Sequence, residues 1–108
     1  MTEKFVDSIL PVAGNKRPVW SIMIPTYNSN AWLADTLNSI LKQDLGPEIM
    51  QIEVVDDTSP KDDTKKFVKE IAGERIQCYV QPQNLGLVGN FTDCIKRARG
   101  HYVHILHG

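Results

Sequence analysis

The feature that most constrains the fold of this chain is the alternation of short apolar runs with segments of helical periodicity. Four runs rich in β-branched or aromatic residues recur along the sequence: "VWSIMIP", "MQIEVV", "RIQCYV" and "HYVHIL". Between them, apolar residues repeat at helical spacing, as in Leu33, Leu37, Ile40 and Leu41 after the first run. The pattern predicts the element order βαβαβαβ.

Strands that alternate with helices favour right-handed crossovers and therefore a parallel sheet. We expect an α/β fold with a parallel sheet of about four strands and helices on both faces. Ser29 or Asn30 is predicted to cap the first helix, and Ser59 the second. Gly73 and Gly100 are predicted to end the second and third helices. The segment "QPQNLGLVG" is expected to form a glycine-containing loop before the third helix.

Bulk composition bounds the number of domains and the class of partner. The chain has 108 residues, of which 42% are hydrophobic, and a formal net charge of -1, which allows one domain with a modest core. The balanced charge offers no basic stripe for nucleic acid, and no apolar run approaches the roughly 20 residues of a membrane span. We expect a cytoplasmic location, and an irregular leader over residues 1–18 with a helical turn around Val6 to Leu10.

Neither the cysteines nor the histidines have the spacing of a metal site. Cys78 and Cys94 fall in a predicted strand and a predicted helix, and we expect both to be reduced core residues. His101 and His107 lie on one face of the last predicted strand and His104 on the other, which is poor geometry for metal ligation. No metal ligand is therefore assigned within this chain.

Polar residues follow the predicted strands, at the edge of a parallel sheet where ligands bind. The first turn is not G-x-G-x-x-G, and the chain has no G-x-x-x-x-G-K-[ST], so neither a dinucleotide fingerprint nor a P-loop is present. The first strand instead runs into Pro25, Tyr27 and Asn28. The Tyr27 ring could stack on a nucleobase; alternatively it packs on the sheet edge while Asn28 caps the turn.

The second strand ends in two adjacent acids, Asp56 and Asp57. Successive strand residues point to opposite faces, so the two carboxylates are not expected to enter one site in the same manner, and one is expected to be structural. A carboxylate at a strand end accepts a hydrogen bond from a ring N–H, which uracil offers where cytosine has an acceptor. The alternative is that "DDTS" forms a turn and caps the next helix.

Four ordered blocks resemble the amino-terminal half of the large inverting GT-A glycosyltransferases of the family 2 type. They are "VWSIMIPTYN", "QIEVVDDTSPKDDT", "VQPQNLGLVGNF" and "GHYVHILHG", and they cover nearly everything from Val19 to Gly108. The resemblance implies a Rossmann-like three-layer sandwich with strand order 3-2-1-4 and a crevice between the first and fourth strands. Residues 19–108 would then be the nucleotide-sugar-binding half of a glycosyltransferase domain.

The resemblance also implies a set of residues that contact the nucleotide-sugar. These residues are Pro25, Tyr27, Asn28, Asp56, Asp57, Asn84 and Gly86. Pro25 and Tyr27 would line the uridine pocket, and Asp57 would bind the base with Asp56 as its companion. Many relatives carry an arginine where this chain has Phe91, which removes a cation expected near the diphosphate.

Family members follow the fourth strand with an acidic D-x-D-type motif that holds Mn²⁺ or Mg²⁺ across the diphosphate. This sequence stops at Gly108, before that motif and before the expected general base, so no catalytic residue is assigned. We expect binding of a nucleotide-diphosphate sugar, with UDP as the nucleotide, but no turnover by this chain alone. The metal is expected for the complete enzyme.

Two other functions fit part of the pattern. One is a non-catalytic nucleotide-binding or interaction module, and the other is a receiver-like signalling domain, which is also a small α/β fold with acids at strand ends. The apolar run "YVHIL" is expected to lie at a sheet edge, where unpaired backbone groups favour pairing with a second copy. Self-association through the last strand is therefore expected.

Overall fold

The computed structural model describes residues 17–106, and the predicted turn around Val6 to Leu10 and His107 lie outside this range. The described residues form four strands and three helices in strict alternation. In chain order they are β1 (Trp20–Thr26), α1 (Asn30–Lys42), β2 (Met50–Asp56), α2 (Thr64–Ala72), β3 (Gln77–Val80), α3 (Gly86–Arg97) and β4 (Tyr102–Ile105). The predicted βαβαβαβ order is confirmed.

The four strands make one parallel sheet in the order β3-β2-β1-β4. The longest pairing joins β1 to β2, from Trp20 opposite Met50 to Thr26 opposite Asp56. Both strands are central, so their carboxyl ends stand side by side at one edge. The order 3-2-1-4 is the predicted one, and it differs from the 2-1-3-4-5 order of receiver-like folds.

Strand alternation divides the core into two layers, one on each face of the sheet. Ile22, Ile24, Ile52 and Val54 pack beneath α1 and α2, together with the buried helix residues Leu33, Leu37, Ile40 and Val68. Met23 and Val55, which lie one residue out of phase with that set, pack against Cys94 of α3 and against its C-cap, Ala98. The sheet is therefore covered on both faces, as predicted.

Two helix starts differ from the sequence-based prediction. Helix α2 begins at Thr64 and is capped by Asp63, whose carboxylate accepts the backbone N–H of Lys66 at 3.2 Å, rather than by Ser59. The Ser59 hydroxyl instead donates a hydrogen bond to the Asp56 carboxylate. Helix α3 begins inside the predicted glycine loop, at Gly86, because a carboxylate from another element holds its first amides, as described below.

The helix ends agree with the sequence in one case and differ in the other. Gly73 ends α2 with φ +60°, a conformation that glycine adopts without strain. Helix α3 ends at Arg97 with Ala98 as its C-cap, so Gly100 does not terminate it. Gly100 is instead buried against β1, and its N–H donates to the Ser21 hydroxyl at 2.7 Å.

A buried polar network at the amino end of the sheet was not predicted. The Gln51 side chain accepts from the Ser21 hydroxyl at 2.6 Å and donates to Glu53 at 3.2 Å. Arg97 donates through Nε to Glu53 at 2.9 Å, and its guanidinium lies 3.9 Å from the centre of the Tyr79 ring. These contacts join β1, β2 and β3 to the end of α3.

Both thiols are free, and they sit in the core layers as expected. Cys94 is fully buried and Cys78 is partly buried. Burial raises the pKa of each thiol to about 12, so both are protonated at neutral pH and are poor nucleophiles. Among residues 17–106, no helix is long and apolar enough to cross a membrane.

Replacing Gly100 with alanine is expected to destabilise the fold. A Cβ atom there would lie 2.6 Å from the carbonyl carbon of Trp20 and 2.7 Å from the Ser21 nitrogen, so backbone of β1 or of the α3–β4 turn must shift. We expect a loss of about 1–3 kcal/mol in the free energy of unfolding, measured in urea. The control Asn38→Ala, on the exposed face of α1, should stay within about 0.5 kcal/mol; equal values for the two variants would contradict the packing argument.

Candidate functional site

A cleft of about 660 Å³ lies beyond the carboxyl ends of β1 and β2. Its walls come from the β1–α1 loop, the β2–α2 loop and the segment that starts α3. The lining residues are Pro25, Thr26, Tyr27, Ser29, Trp32, Asp57, Thr58, Pro60, Asn84, Gly86, Leu87 and Asn90. Five of the seven predicted nucleotide-sugar residues are in this lining: Pro25, Tyr27, Asp57, Asn84 and Gly86.

Asp57 provides the carboxylate of the cleft and also holds the start of α3. Its Oδ1 accepts the N–H of Leu85 at 2.7 Å, and its Oδ2 accepts the N–H of Gly86 at 2.9 Å. The Asn84 side chain donates to the Asp57 carbonyl at 2.9 Å, and Gly86 has φ +82°, which a side chain would disfavour. A carboxylate has about four acceptor positions, so each oxygen keeps capacity for one further donor.

Tyr27 presents its ring at the mouth of the cleft. The residue is 51% exposed, whereas its backbone is fixed on both sides by Ser29. The Tyr27 N–H donates to the Ser29 hydroxyl at 3.0 Å, and that hydroxyl donates back to the Tyr27 carbonyl at 3.1 Å. A held backbone with an exposed aromatic face is suited to stacking on a planar ligand.

Asp56 and Asn28 are not brought to the cleft. Asp56 is buried on the α2 side of the sheet, opposite to Asp57, as strand alternation predicts. Asn28 adopts φ +51°. Its N–H donates to the Ser59 hydroxyl, and its Oδ1 accepts the N–H of Lys61. Both residues therefore make their hydrogen bonds within the protein.

Trp32 and Asn90 line the cleft but were not predicted. Trp32 is partly buried near the start of α1. Asn90 is buried, donates to the Val55 carbonyl at 2.9 Å and accepts from Gln81 at 3.2 Å. Its position four residues before the buried Cys94 places an amide on the apolar stripe of α3, and that pattern could have revealed it.

The cleft carries little positive charge for a diphosphate. Among residues 17–106, Asp57 is the only acid in the cleft lining, and none of the lining residues is a lysine or arginine. Phe91, at the position of the arginine found in many relatives, is partly buried and does not line the cleft. In the described residues the lining also includes nothing from β4, which differs from the expected crevice between β1 and β4.

A larger hollow, of about 970 Å³, lies at the opposite end of the sheet beside Glu53, Arg75 and Arg97. Three of its charged side chains already pair with protein partners, since Arg97 binds Glu53 and Arg75 binds Asp44 through Nε at 2.6 Å. The Arg75 guanidinium holds the pKa of Asp44 below its usual value. The cleft beyond the strand ends, with unpaired acceptor capacity and an exposed ring, is the better candidate.

The described residues do not fit a divalent metal. Within the range 17–106, no group of three or more His, Cys, Asp or Glu side chains is placed to hold an ion. Asp56 and Asp57 point to opposite faces of the sheet, so the two carboxylates do not converge on one ion. No chemistry through a metal is therefore derived from this part of the chain.

The sequence profile of glycosyl transferase family 2 matches residues 21–108, which is most of the chain. The chain belongs to glycosyl transferase family 2. Within this family, the poly(ribitol-phosphate) beta-N-acetylglucosaminyltransferase TarS of Staphylococcus aureus is 39% identical over 86 residues, covering 78% of this chain and 15% of TarS. The putative teichuronic acid biosynthesis glycosyltransferase TuaG of Bacillus subtilis is 33% identical over 94 residues, covering 85% of this chain and 36% of TuaG.

Solved structures carry the same fold. The crystal structure of S. aureus TarS in complex with UDP-GlcNAc matches with a TM-score of 0.70 and 29% identity, covering 82% of this chain and 26% of the TarS chain. The Pyrobaculum calidifontis mannosyltransferase PcManGT in complex with GDP-Man and Mn²⁺ matches with a TM-score of 0.69, covering 98% of this chain and 32% of its own. Because the sequence identity between the two chains is 19%, this match shows a shared fold and nothing more.

The family 2 chain described here spans only part of these relatives. It matches 36% of the length of TuaG and 15% of the length of TarS. The sheet order and helices match the GT-A Rossmann-like fold of the TarS structures.

Replacing Asp57 with asparagine tests, in the absence of any ligand, the two hydrogen bonds that Asp57 accepts at the start of α3. The asparagine side chain is neutral and has one acceptor oxygen. Both N–H groups would therefore lose a charged partner, and either Leu85 or Gly86 would lose its acceptor altogether. We expect a loss of about 2 kcal/mol in the free energy of unfolding in urea, and faster hydrogen exchange at both amides. Asp35→Asn, on the exposed face of α1, is the control; an Asp57→Asn protein as stable as this control would contradict the assigned bonds.

Proposed function

We propose that residues 19–108 are the nucleotide-binding half of a GT-A glycosyltransferase domain and that they bind a nucleotide-diphosphate sugar, with UDP as the nucleotide. The observation that carries the proposal is the pairing of the exposed Tyr27 ring with the Asp57 carboxylate in one cleft. In this arrangement the ring stacks on the base while the carboxylate accepts a hydrogen bond from its edge.

Uracil fits this pair better than cytosine. A carboxylate only accepts hydrogen bonds when ionised, and uracil presents a ring N–H where cytosine presents an acceptor. Each Asp57 oxygen already accepts one amide N–H and retains capacity for another donor. The TarS structures with UDP and with UDP-GlcNAc support the choice of nucleotide, because TarS is a relative at 39% sequence identity.

The nucleoside is the part of the donor that this cleft would hold most strongly. Within the described range 17–106, the lining offers aromatic and carboxylate groups for the base but no lysine or arginine for the diphosphate. Asn84 and Gly86 line the cleft at the start of α3, where Asp57 already accepts the N–H groups of Leu85 and Gly86, and we propose that both residues approach the nucleotide. Pro25 shapes the wall between β1 and the base.

Glycosyl transfer is proposed for the complete protein, with Mn²⁺ or Mg²⁺ as the expected metal. The described residues contain neither a metal-binding group nor an assigned general base. We therefore propose that the 108-residue chain binds the donor without transferring its sugar to an acceptor. Sugar transfer by the purified chain would contradict this part of the proposal.

A titration of the ¹⁵N-labelled chain with UDP, CDP and GDP tests the nucleotide assignment. We expect UDP to bind most tightly and to shift the amide signals of Tyr27, Asp57 and Gly86. Tyr27→Leu should weaken UDP binding about tenfold, because base–aromatic stacking contributes roughly 1–3 kcal/mol.

Tyr102→Leu is the matched control for this titration. Tyr102 is also a partly exposed tyrosine, but it lies against Trp20 at the amino end of the sheet, with ring centres 5.2 Å apart. Its replacement should leave the UDP affinity within twofold. The proposal fails if UDP leaves the Tyr27 region unshifted, or if Tyr102→Leu weakens binding as much as Tyr27→Leu.

A further inference from the structure

The Asp56 carboxylate lies beneath the cleft and receives hydrogen bonds from three segments of the chain. Its Oδ1 accepts the hydroxyls of Thr26 at 2.7 Å, Ser59 at 2.7 Å and Thr64 at 2.9 Å. Its Oδ2 accepts the backbone N–H of Ser59 at 2.8 Å. These donors belong to the end of β1, the β2–α2 loop and the first residue of α2, so one buried charge fixes all three together.

Ser59 extends this connection to the loop that carries Tyr27. The Ser59 hydroxyl donates to Asp56 and accepts the backbone N–H of Asn28, the residue after Tyr27, at 2.8 Å. Asn28 has φ +51°, a left-handed conformation that is uncommon for non-glycine residues but that asparagine adopts more readily than most. The backbone just after Tyr27 is therefore held by a hydroxyl that lies 31 positions after Asn28 in the sequence.

The β2–α2 loop is also held next to Asp57, through Thr58. Thr58, between Asp57 and Ser59, has φ +60°, which is rare for a β-branched residue. Its hydroxyl donates to the Gln81 carbonyl at 2.9 Å, which ties the loop to the end of β3. Residues 56–59 thus place the Asp57 carboxylate on one side of the sheet and the Ser59 hydroxyl on the other.

We propose that Asp56 and Ser59 are positioning residues, which hold Tyr27 and Asp57 at the separation that a nucleobase requires without touching the nucleotide. This inference rests on the proposed function, because it assigns the two cleft groups to one ligand. Its physical basis is preorganisation: a ring and a carboxylate that are already in place lose less freedom when the ligand binds.

Ser59→Ala removes the connection between Asp56 and the Tyr27 loop. We expect hydrogen exchange at the Asn28 amide to become at least tenfold faster, and UDP to bind about tenfold more weakly in the NMR titration. Ser59→Thr keeps the hydroxyl and should restore both values to within about threefold of the wild type.

Thr64→Val is the matched control. It deletes one buried hydroxyl that donates to the same Asp56 oxygen, but among residues 17–106 Thr64 makes no hydrogen bond to the β1–α1 loop. Its thermal stability should fall at least as much as that of Ser59→Ala, whereas its Asn28 exchange and UDP affinity should stay within twofold of the wild type. A general loss of stability would not produce this split.

The outcomes separate the inference from the function on which it rests. Wild-type protein that binds no UDP overturns the proposed function, and the positioning role with it. Wild-type protein that binds UDP, together with Ser59→Ala that binds equally well, overturns the positioning role alone. Equal weakening by Ser59→Ala and Thr64→Val also overturns it, because binding would then follow stability rather than the Ser59 connection.

Discussion

The two adjacent carboxylates at the end of β2 are the constraint on which the rest of this structure depends. Because strand residues alternate between faces, Asp56 points toward α2 and Asp57 toward α3. Each is buried, and each must be satisfied by donors where it lies, which costs stability if any donor is removed. One acid thereby fixes the loops on the α2 side, and the other fixes the start of α3, with the cleft between them.

Much of the fold could be predicted from local sequence pattern, whereas contacts between distant segments could not. Apolar periodicity predicted every strand and helix, and strand alternation predicted that Asp56 and Asp57 would diverge. The start of α3 was missed because its capping group, Asp57, is 28 positions earlier in the chain. Ser59 was wrongly predicted to cap α2. Its hydroxyl instead accepts the N–H of Asn28, a residue distant in the sequence, and donates to Asp56.

In the candidate site, too, some residues could be predicted from the sequence and others could not. Tyr27 and Asp57 were predicted from their place at strand ends together with the family resemblance, and both lie in the cleft. Trp32 and Asn90 enter from helices, where packing sets which side chains face the strand ends. The assignment of these residues to a nucleotide rests on membership of glycosyl transferase family 2 and on TarS, whose structures contain UDP and UDP-GlcNAc.

The central claim is that one nucleobase lies between the Tyr27 ring and the Asp57 carboxylate. The most direct measurement is the set of intermolecular nuclear Overhauser effects between UDP and the isotope-labelled 108-residue chain. The account predicts contacts from the uracil ring protons to the Tyr27 ring and none to the exposed Trp20 and Tyr102 rings at the other end of the sheet. Bound UDP with uracil contacts only outside the cleft would contradict it.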